Sequence, residues 1–326
     1  MRRVICLLLL SAVLLCACAQ SVPVPEEESA PPPAEQAAEP LTEEPAEPPE
    51  PEPEPEPQEV EAPPPALDLD ARPVLIAHAG GAIWGYRLTN SLEALELAYA
   101  GGHRFIEVDI SRSADGELVL LHDWESMARR MFGTEGCLTE EEFLARRAFA
   151  RLTLMDLDAL LDWLKAHPDC SIITDVKDEE GNVDALSEIR RRAGELGDHF
   201  IPQVYDYGEY DAVSQLGYAR VILTLYRLET EPDRLGDFAA AHRPWGITVA
   251  QDRLTRELLD AVLGASPDTL VFAHTVNDLS FFEAWQPQGL SGIYTDYFTP
   301  DRWYPSIIRD PETIDSPRVS SSTLPL

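Results

Sequence analysis

The chain has 326 residues and a formal charge of −33, of which −14 falls on residues 21–66 and −21 on residues 67–326. A polyanion gains nothing from counterion release on DNA or RNA and is repelled by anionic lipid head groups, which argues against nucleic-acid binding and against electrostatic docking on a membrane. With only two lysines, Lys165 and Lys177, any anionic ligand must be met by a metal ion or by a few well-aimed basic side chains.

The first element is a targeting segment. Arg2-Arg3 supplies a charged start, residues 4–15 form an apolar run too short to span a bilayer as a mature helix, and small residues follow. Leu15-Cys16-Ala17-Cys18 resembles the end of a bacterial lipoprotein signal, with Cys16 unusual at its position. The resemblance implies a signal peptide over residues 1–18, cleavage before Cys18 and lipidation of Cys18, so that the protein is exported and held on the outer face of a bacterial membrane by multi-chain anchoring. Ordinary secretion with cleavage nearby is the alternative. No other run of about 18 apolar residues predicts a transmembrane helix.

Residues 19–66 read as a disordered stalk. Within them, residues 21–66 carry 16 prolines and 14 glutamates with no lysine or arginine, too little apolar surface to offset the entropy of ordering. Extended polyproline II at about 3.1 Å per residue would reach at most roughly 140 Å. Residues 67–310 remain as one folded domain, ample for a single large core, followed by a tail over 311–326.

That domain alternates strands and helices. Short apolar runs predict strands at Val74–His78, Arg104–Ile110, Leu118–Leu121, Ser171–Val176, Phe200–Tyr205, Arg220–Leu225, Gly246–Ala250, Leu270–His274 and Gly292–Thr295. Helical periodicity covers Ser91–Tyr99, stopped by Gly101-Gly102, and Leu152–His167, closed by Pro168. Repeated βα units of this length predict an α/β fold, a TIM-type (β/α)8 barrel. Nine strands are one too many, and Ser111–Glu117 is too short for a crossover helix, so the barrel is expected to be irregular there. An open doubly wound sheet is the alternative, but no Gly-rich phosphate loop follows the first strand.

In a barrel, catalytic groups sit at the carboxyl ends of the strands, and those ends here read His78, Glu107-Val108-Asp109, His122-Asp123 and Asp175-Val176-Lys177. Glu107 and Asp109, two apart on a strand, project to one face. Unpaired, two such carboxylates repel; a divalent cation resolves the repulsion, and oxygen-only ligands favour Ca²⁺ or Mg²⁺. Asp175 completes such a site from another strand, His78 and His122 titrate near neutral pH, and Lys177 is placed to face a phosphate. Tyr205 and Trp124 are candidates for lining the pocket. His103, His167, His199 and His242 have no second candidate ligand beside them and read as surface or core residues.

In order along the chain stand His78-Ala79-Gly80, Thr89-Asn90-Ser91, Ile106-Glu107-Val108-Asp109, Asp115-Gly116 through Val119 to His122-Asp123, Asp175-Val176-Lys177, Thr275-Val276-Asn277 and Gly292-Ile293-Tyr294-Thr295-Asp296. This series resembles the motifs of the glycerophosphodiester phosphodiesterase family, within the barrel superfamily that includes phosphatidylinositol-specific phospholipases C. The resemblance spans roughly residues 74–300. It implies hydrolysis of a small glycerophosphodiester to glycerol 3-phosphate and an alcohol, with His78 and His122 as the acid/base pair. Glu107, Asp109 and Asp175 would hold one divalent cation, Ca²⁺ or Mg²⁺, and Lys177 and Asn90 would contact substrate.

The departures bear on substrate more than on reaction type. Ala79 stands where the family has an arginine that reaches the phosphate, so a cation is missing unless Arg87, Arg104 or another side chain compensates. Thr89 and Asp175 each stand in place of a glutamate, and His274 in place of a frequent tryptophan. Hydrolysis of a lipid phosphodiester or of wall poly(glycerol phosphate), or a catalytically inactive barrel that only binds a phosphodiester, are the alternatives. Cys137 and Cys170 are the two cysteines left in the domain, a candidate pair but not a disulfide framework. Oligomeric state is not legible.

Overall fold

The computed structural model describes residues 74–300 except 179, 180 and 230, together with the backbone of the strand Arg302–Pro305. The export signal, Cys18, the proline-glutamate stretch and the tail over 311–326 lie outside the described residues.

Eight parallel strands form the wall of a closed barrel: β1 (Val74–Ala77), β2 (Phe105–Arg112), β4 (Ser171–Val176), β5 (Phe200–Val204), β6 (Ile222–Thr224), β7 (Gly246–Ala250), β8 (Leu270–His274) and β9 (Gly292–Thr295). Each pairs with its neighbour in chain order, and β1 closes the ring by pairing with both β9 and β2, Val74 opposite Gly292 and Ile76 opposite Phe105. This closure excludes the open sheet.

The ninth predicted strand is β3 (Leu118–Leu120). It runs antiparallel to β2, with Ile110 opposite Leu120 and Arg112 opposite Leu118, so Ser111 and Arg112 extend β2, only Ser113–Glu117 connects the two strands as a hairpin, and no crossover helix is needed. The expected irregularity is therefore an extra strand outside a regular barrel of eight.

The barrel interior explains where the polar residues emerge. Val74 and Ile76, Phe105, Ile173, Ile201, Ile222, Phe272 and Tyr294 fill its lower part as one buried cluster. Because a strand alternates faces with period two, the inward position two residues further along each strand falls above this plug. Those positions are His78, Glu107, Asp175, Gln203, Thr224, His274 and Asp296. One apolar layer thus forms the floor, and polar groups rise from it. Gly246 keeps the floor packable: a Cβ there would come within 2.7 Å of the Phe272 ring.

The outer layer is helical. Leu95 and Ala98 of α1 (Leu92–Ala100), Leu160 and Leu164 of α4 (Leu157–Ala166), Ile189 of α5 (Asn182–Ala193) and Val262 of α6 (Arg256–Ala265) pack onto the outward-facing strand residues in a second, larger cluster. Helix α4 begins five residues later than predicted. Asp156 accepts from Ala159 N at 2.7 Å and caps it, while Leu152–Thr153 pairs as a short ribbon with Arg147–Ala148.

Between β3 and α4, two short helices, α2 (Met127–Phe132) and α3 (Glu140–Leu144), make a small core of their own around Met131, Phe143 and Leu152. Cys137 is exposed and Cys170 buried, and both are free thiols, so the candidate disulfide does not form. No helix among the described residues is long and apolar enough to cross a membrane.

Candidate active site

At the carboxyl end of the barrel lies a pocket of about 390 Å³ lined by His78, Glu107, His122, Asp175 and Lys177 together with residues of β5, β6, β8 and β9. The register of β2 with β4 sets Asp109 directly opposite Asp175. Glu107 follows two residues before on the same face, so the three carboxylates converge with ligand atoms all within 4.8 Å of one another.

This cluster is poorly satisfied by protein alone. Glu107 is 1% exposed and Asp109 fully buried. Glu107 Oε2 accepts the Ala79 backbone N–H at 2.7 Å, but its Oε1 has no hydrogen-bond partner. Burial, and then the charge of Asp109, push Glu107 up to about 8. Burial also works against ionising Asp109, yet Lys177, His122 and His78 together hold its carboxyl below the usual range. A buried, partnerless carboxylate oxygen beside two more carboxylates fits a hard divalent cation with oxygen ligands.

Lys177 Nζ lies 2.7 Å from Asp175 Oδ2, to which it donates, and 2.7 Å from Asp109 Oδ1 as an ion pair without the angles of a directed hydrogen bond. Burial opposes the lysine charge, but Asp109 and Asp175 outweigh it and hold the amine above its ordinary value. Asp175 is raised, by burial first, and also accepts the Tyr205 hydroxyl.

Asn90 is fully buried, and both ends of its amide are on Asp109: Nδ2 donates to Oδ2 at 2.8 Å and Oδ1 accepts the Asp109 N–H at 2.9 Å. Read from sequence as a substrate contact, it stands behind the pocket as a brace for a carboxylate. Its φ of +48° is a left-handed conformation that asparagine tolerates.

The histidines enter the pocket from the ends of β1 and β3, each backed by a carboxylate. His78 Nδ1–H donates to Asp296 Oδ1 at 2.9 Å, and His122 Nδ1–H donates to Asp123 Oδ2 at 2.7 Å. Burial alone would depress His78, but the Asp296 bond and the negative field of Glu107 and Asp296 outweigh it and raise the ring to about 9. Asp296 is fixed in turn by Asn277 Nδ2 at 2.7 Å and Arg87 at 3.3 Å. Burial opposes ionising Asp123, but hydrogen bonds from Ser126, His122 and Met127 bring it down to about 2.

Several of these residues carried no assigned role in the sequence reading. Asp296 and Asn277 stood inside quoted motifs, and Asp123 beside His122, but nothing in the linear chain ties Asp296 to a histidine 218 residues away. Of the pocket-lining candidates, Tyr205 lines the pocket. Trp124 does not: its Nε1–H donates to Arg112 O at 2.7 Å and its ring packs edge-on against Phe143. Arg104 is bound to Asp169 at 2.6 Å at the opposite end of β2, and Arg87 opens onto a neighbouring groove beside Asp296. His274 borders the pocket, bonded to Thr248 at 2.9 Å, and burial with the nearby His78 charge lowers it to about 4.

Residues 82–234 match the model of the glycerophosphoryl diester phosphodiesterase family. Similar solved structures include a glycerophosphodiester phosphodiesterase from Thermotoga maritima, with a TM-score of 0.56 at 21% identity over 69% of this chain and 95% of that one. A phosphodiesterase from Oleispira antarctica, solved with the product sn-glycerol-3-phosphate, gives 0.58 at 19% identity over 69% and 93%. One from Parabacteroides distasonis gives 0.55 at 21% over 68% and 92%. These likenesses show the fold, and over residues 82–234, which enclose β2, β3 and β4, the chain is similar to the glycerophosphoryl diester phosphodiesterase family.

Proposed function

We propose that the protein hydrolyses glycerophosphodiesters, releasing glycerol 3-phosphate and an alcohol, with His78 and His122 as the acid/base pair and one divalent cation, Ca²⁺ or Mg²⁺, held by Glu107, Asp109 and Asp175. The observation that carries this is one pocket lined by two histidines, each backed by its own carboxylate, and by Glu107 and Asp175 of a cluster of three converging carboxylates that the buried Asp109 completes.

A cation bound there supplies positive charge to a phosphoryl oxygen and so offsets the charge that develops in the transition state. The protein's own groups handle protons. Asp296 holds Nδ1–H of His78 and favours the imidazolium, leaving Nε2–H to be given to the departing alcohol. Asp123 holds Nδ1–H of His122, so Nε2 is the ring nitrogen placed to accept the proton of the nucleophile, water or a neighbouring substrate hydroxyl. Lys177 orients Asp109 and Asp175 and faces the phosphate side of the pocket.

The reading extends to location: a lipid on Cys18 would hold the barrel at the outer face of a bacterial membrane, with residues 19–66 as the tether. Mass spectrometry of the mature amino terminus, with Cys18→Ala releasing the protein from the membrane fraction, tests it.

The catalytic reading is tested by glycerol 3-phosphate release from several glycerophosphodiesters in EDTA, Ca²⁺ or Mg²⁺, beside His78→Ala and His122→Ala. Cation-dependent release lost in both variants is expected. A folded protein that releases nothing with either cation would sink it in favour of a binding role.

A further inference from the structure

We propose that Arg227 is the side chain that grips the phosphate in this pocket, from the end of β6, two strands along the barrel from Lys177; the inference rests on the phosphodiester reading above. Among the described residues, Lys177 and Arg227 are the lysine and arginine lining the pocket. The charge of Lys177 is answered at 2.7 Å by Asp109 and at 2.7 Å by Asp175. Ala79 brings no charge: it is fully buried and contributes its N–H to Glu107. A phosphate entering a pocket walled by Glu107 and Asp175 gains from a further cationic side chain beside the bound cation, and the turn after β6 carries one.

That turn is built to hold an arginine in place. Leu225 N donates to Thr248 O at 2.8 Å, continuing the β6 to β7 ladder beyond the strand end. The guanidinium of Arg253 then donates to Leu225 O and, at 2.9 Å, to Leu228 O, so the backbone on both sides of Arg227 is stapled from the following loop. Arg253 spends its donors on those carbonyls and is a support, not a ligand.

The side chain is aimed as well as anchored. The Arg227 guanidinium carbon lies 4.2 Å from the centroid of the Tyr205 ring, a cation–π platform. Tyr205 is itself fixed by its hydroxyl on Asp175 and its N–H on Glu209 at 2.7 Å. A long, exposed side chain resting on a fixed ring loses less freedom on binding, and its planar fork matches two phosphate oxygens where an ammonium meets one. The Tyr205 ring thus couples the phosphate cation to a carboxylate of the acidic cluster.

The test uses the full chain with Arg227→Ala and Arg227→Lys, and two readouts: kcat and KM on a glycerophosphodiester, and calorimetric binding of inorganic phosphate in Mg²⁺. Arg227 is exposed, so both variants should melt as wild type does. Arg227→Ala is expected to raise KM and weaken phosphate binding by about 10- to 100-fold, the span for losing a charge-assisted hydrogen bond, with kcat changed far less. Arg227→Lys should recover part of both. Unchanged KM and phosphate affinity in Arg227→Ala overturn the proposal, as does a wild-type protein that binds no phosphate. If wild type turns over no diester, the hydrolase reading falls and phosphate binding alone decides the role of Arg227.

Discussion

Asp296, at the end of the last barrel strand, accepts the Nδ1–H of His78, at the end of the first, at 2.9 Å. The two are neighbours only because β1 pairs with β9, placing Ala77 opposite Thr295 and so the next residue of each strand side by side. Asn277 and Arg87 bond the other carboxylate oxygen, and although burial opposes it, Asp296 is held below the ordinary range. An ionised partner keeps the His78 proton on up to about 9.

An acid is active below its pKa, so Asp296 extends turnover toward alkaline pH. Asp296→Asn should therefore draw the alkaline limb of the kcat profile to lower pH and reduce kcat at pH 8 by about 10²-fold, within the range for general acid catalysis. A pH–rate profile from pH 5 to 10 checks this. An alkaline limb that stays in place would show that Asp296 does not govern the proton of His78.

The His122 pair predicts a different pattern. Asp123 also accepts from Ser126 Oγ at 2.8 Å and Met127 N at 3.1 Å, so it ties the start of α2 as well as orienting the histidine. His122→Ala should lower kcat by about 10²- to 10⁴-fold with an unchanged melting temperature, because the ring is partly exposed and caps nothing. Asp123→Ala should lose activity and also about 1 kcal/mol of stability, the typical cost of a lost cap. Paired kinetics and thermal melts separate the two roles.

Much of this was legible before the fold because a barrel strand writes its interior with period two. Phe105, Glu107 and Asp109 alternate with outward apolar residues, and Ile173, Asp175 and Lys177 repeat the pattern, so both the apolar floor and the carboxylates above it could be read in line. What remained illegible depends on closure or on short elements. Asp296 meets His78 only when the first and last strands pair, and Arg227 lies over the ring of Tyr205, which follows another strand. Helices α2 and α3, of 6 and 5 residues, are too short to show a helical period, and their shared core is invisible to a local reading.

Asn90 tests whether the brace behind the cluster matters. Asn90→Gly keeps the left-handed backbone, which glycine adopts freely, and removes only the amide. It leaves the buried Asp109 N–H and Oδ2 without these partners, and should cost about 1–3 kcal/mol of stability and weaken cation binding by about 10- to 100-fold. Urea denaturation and calorimetric titration of Mg²⁺ or Ca²⁺ measure the two effects. Full cation affinity in a destabilised variant would reduce Asn90 to a purely structural role.

Glu107 predicts how cation binding and pH are linked. Its carboxyl is raised from 4.5 to about 8 by burial and by Asp109, so the cation-free folded state holds a proton that the unfolded chain has already released. The stability this contributes is fully present below about pH 4.5 and is lost as pH rises through about 8. His78, raised from 6.5 to about 9, acts in the same direction over its own window. In EDTA the melting temperature should fall between pH 5 and pH 8. A cation competes with the Glu107 proton, so its stabilising effect should grow over the same interval. At about a hundredfold excess over Kd at pH 8, the expected gain is roughly 5–10 °C, shrinking toward pH 5. Scanning calorimetry of wild type and Glu107→Gln with and without cation decides it. An equal gain at both pH values, or the same pH dependence in Glu107→Gln, would show that this carboxylate is not where proton and cation compete.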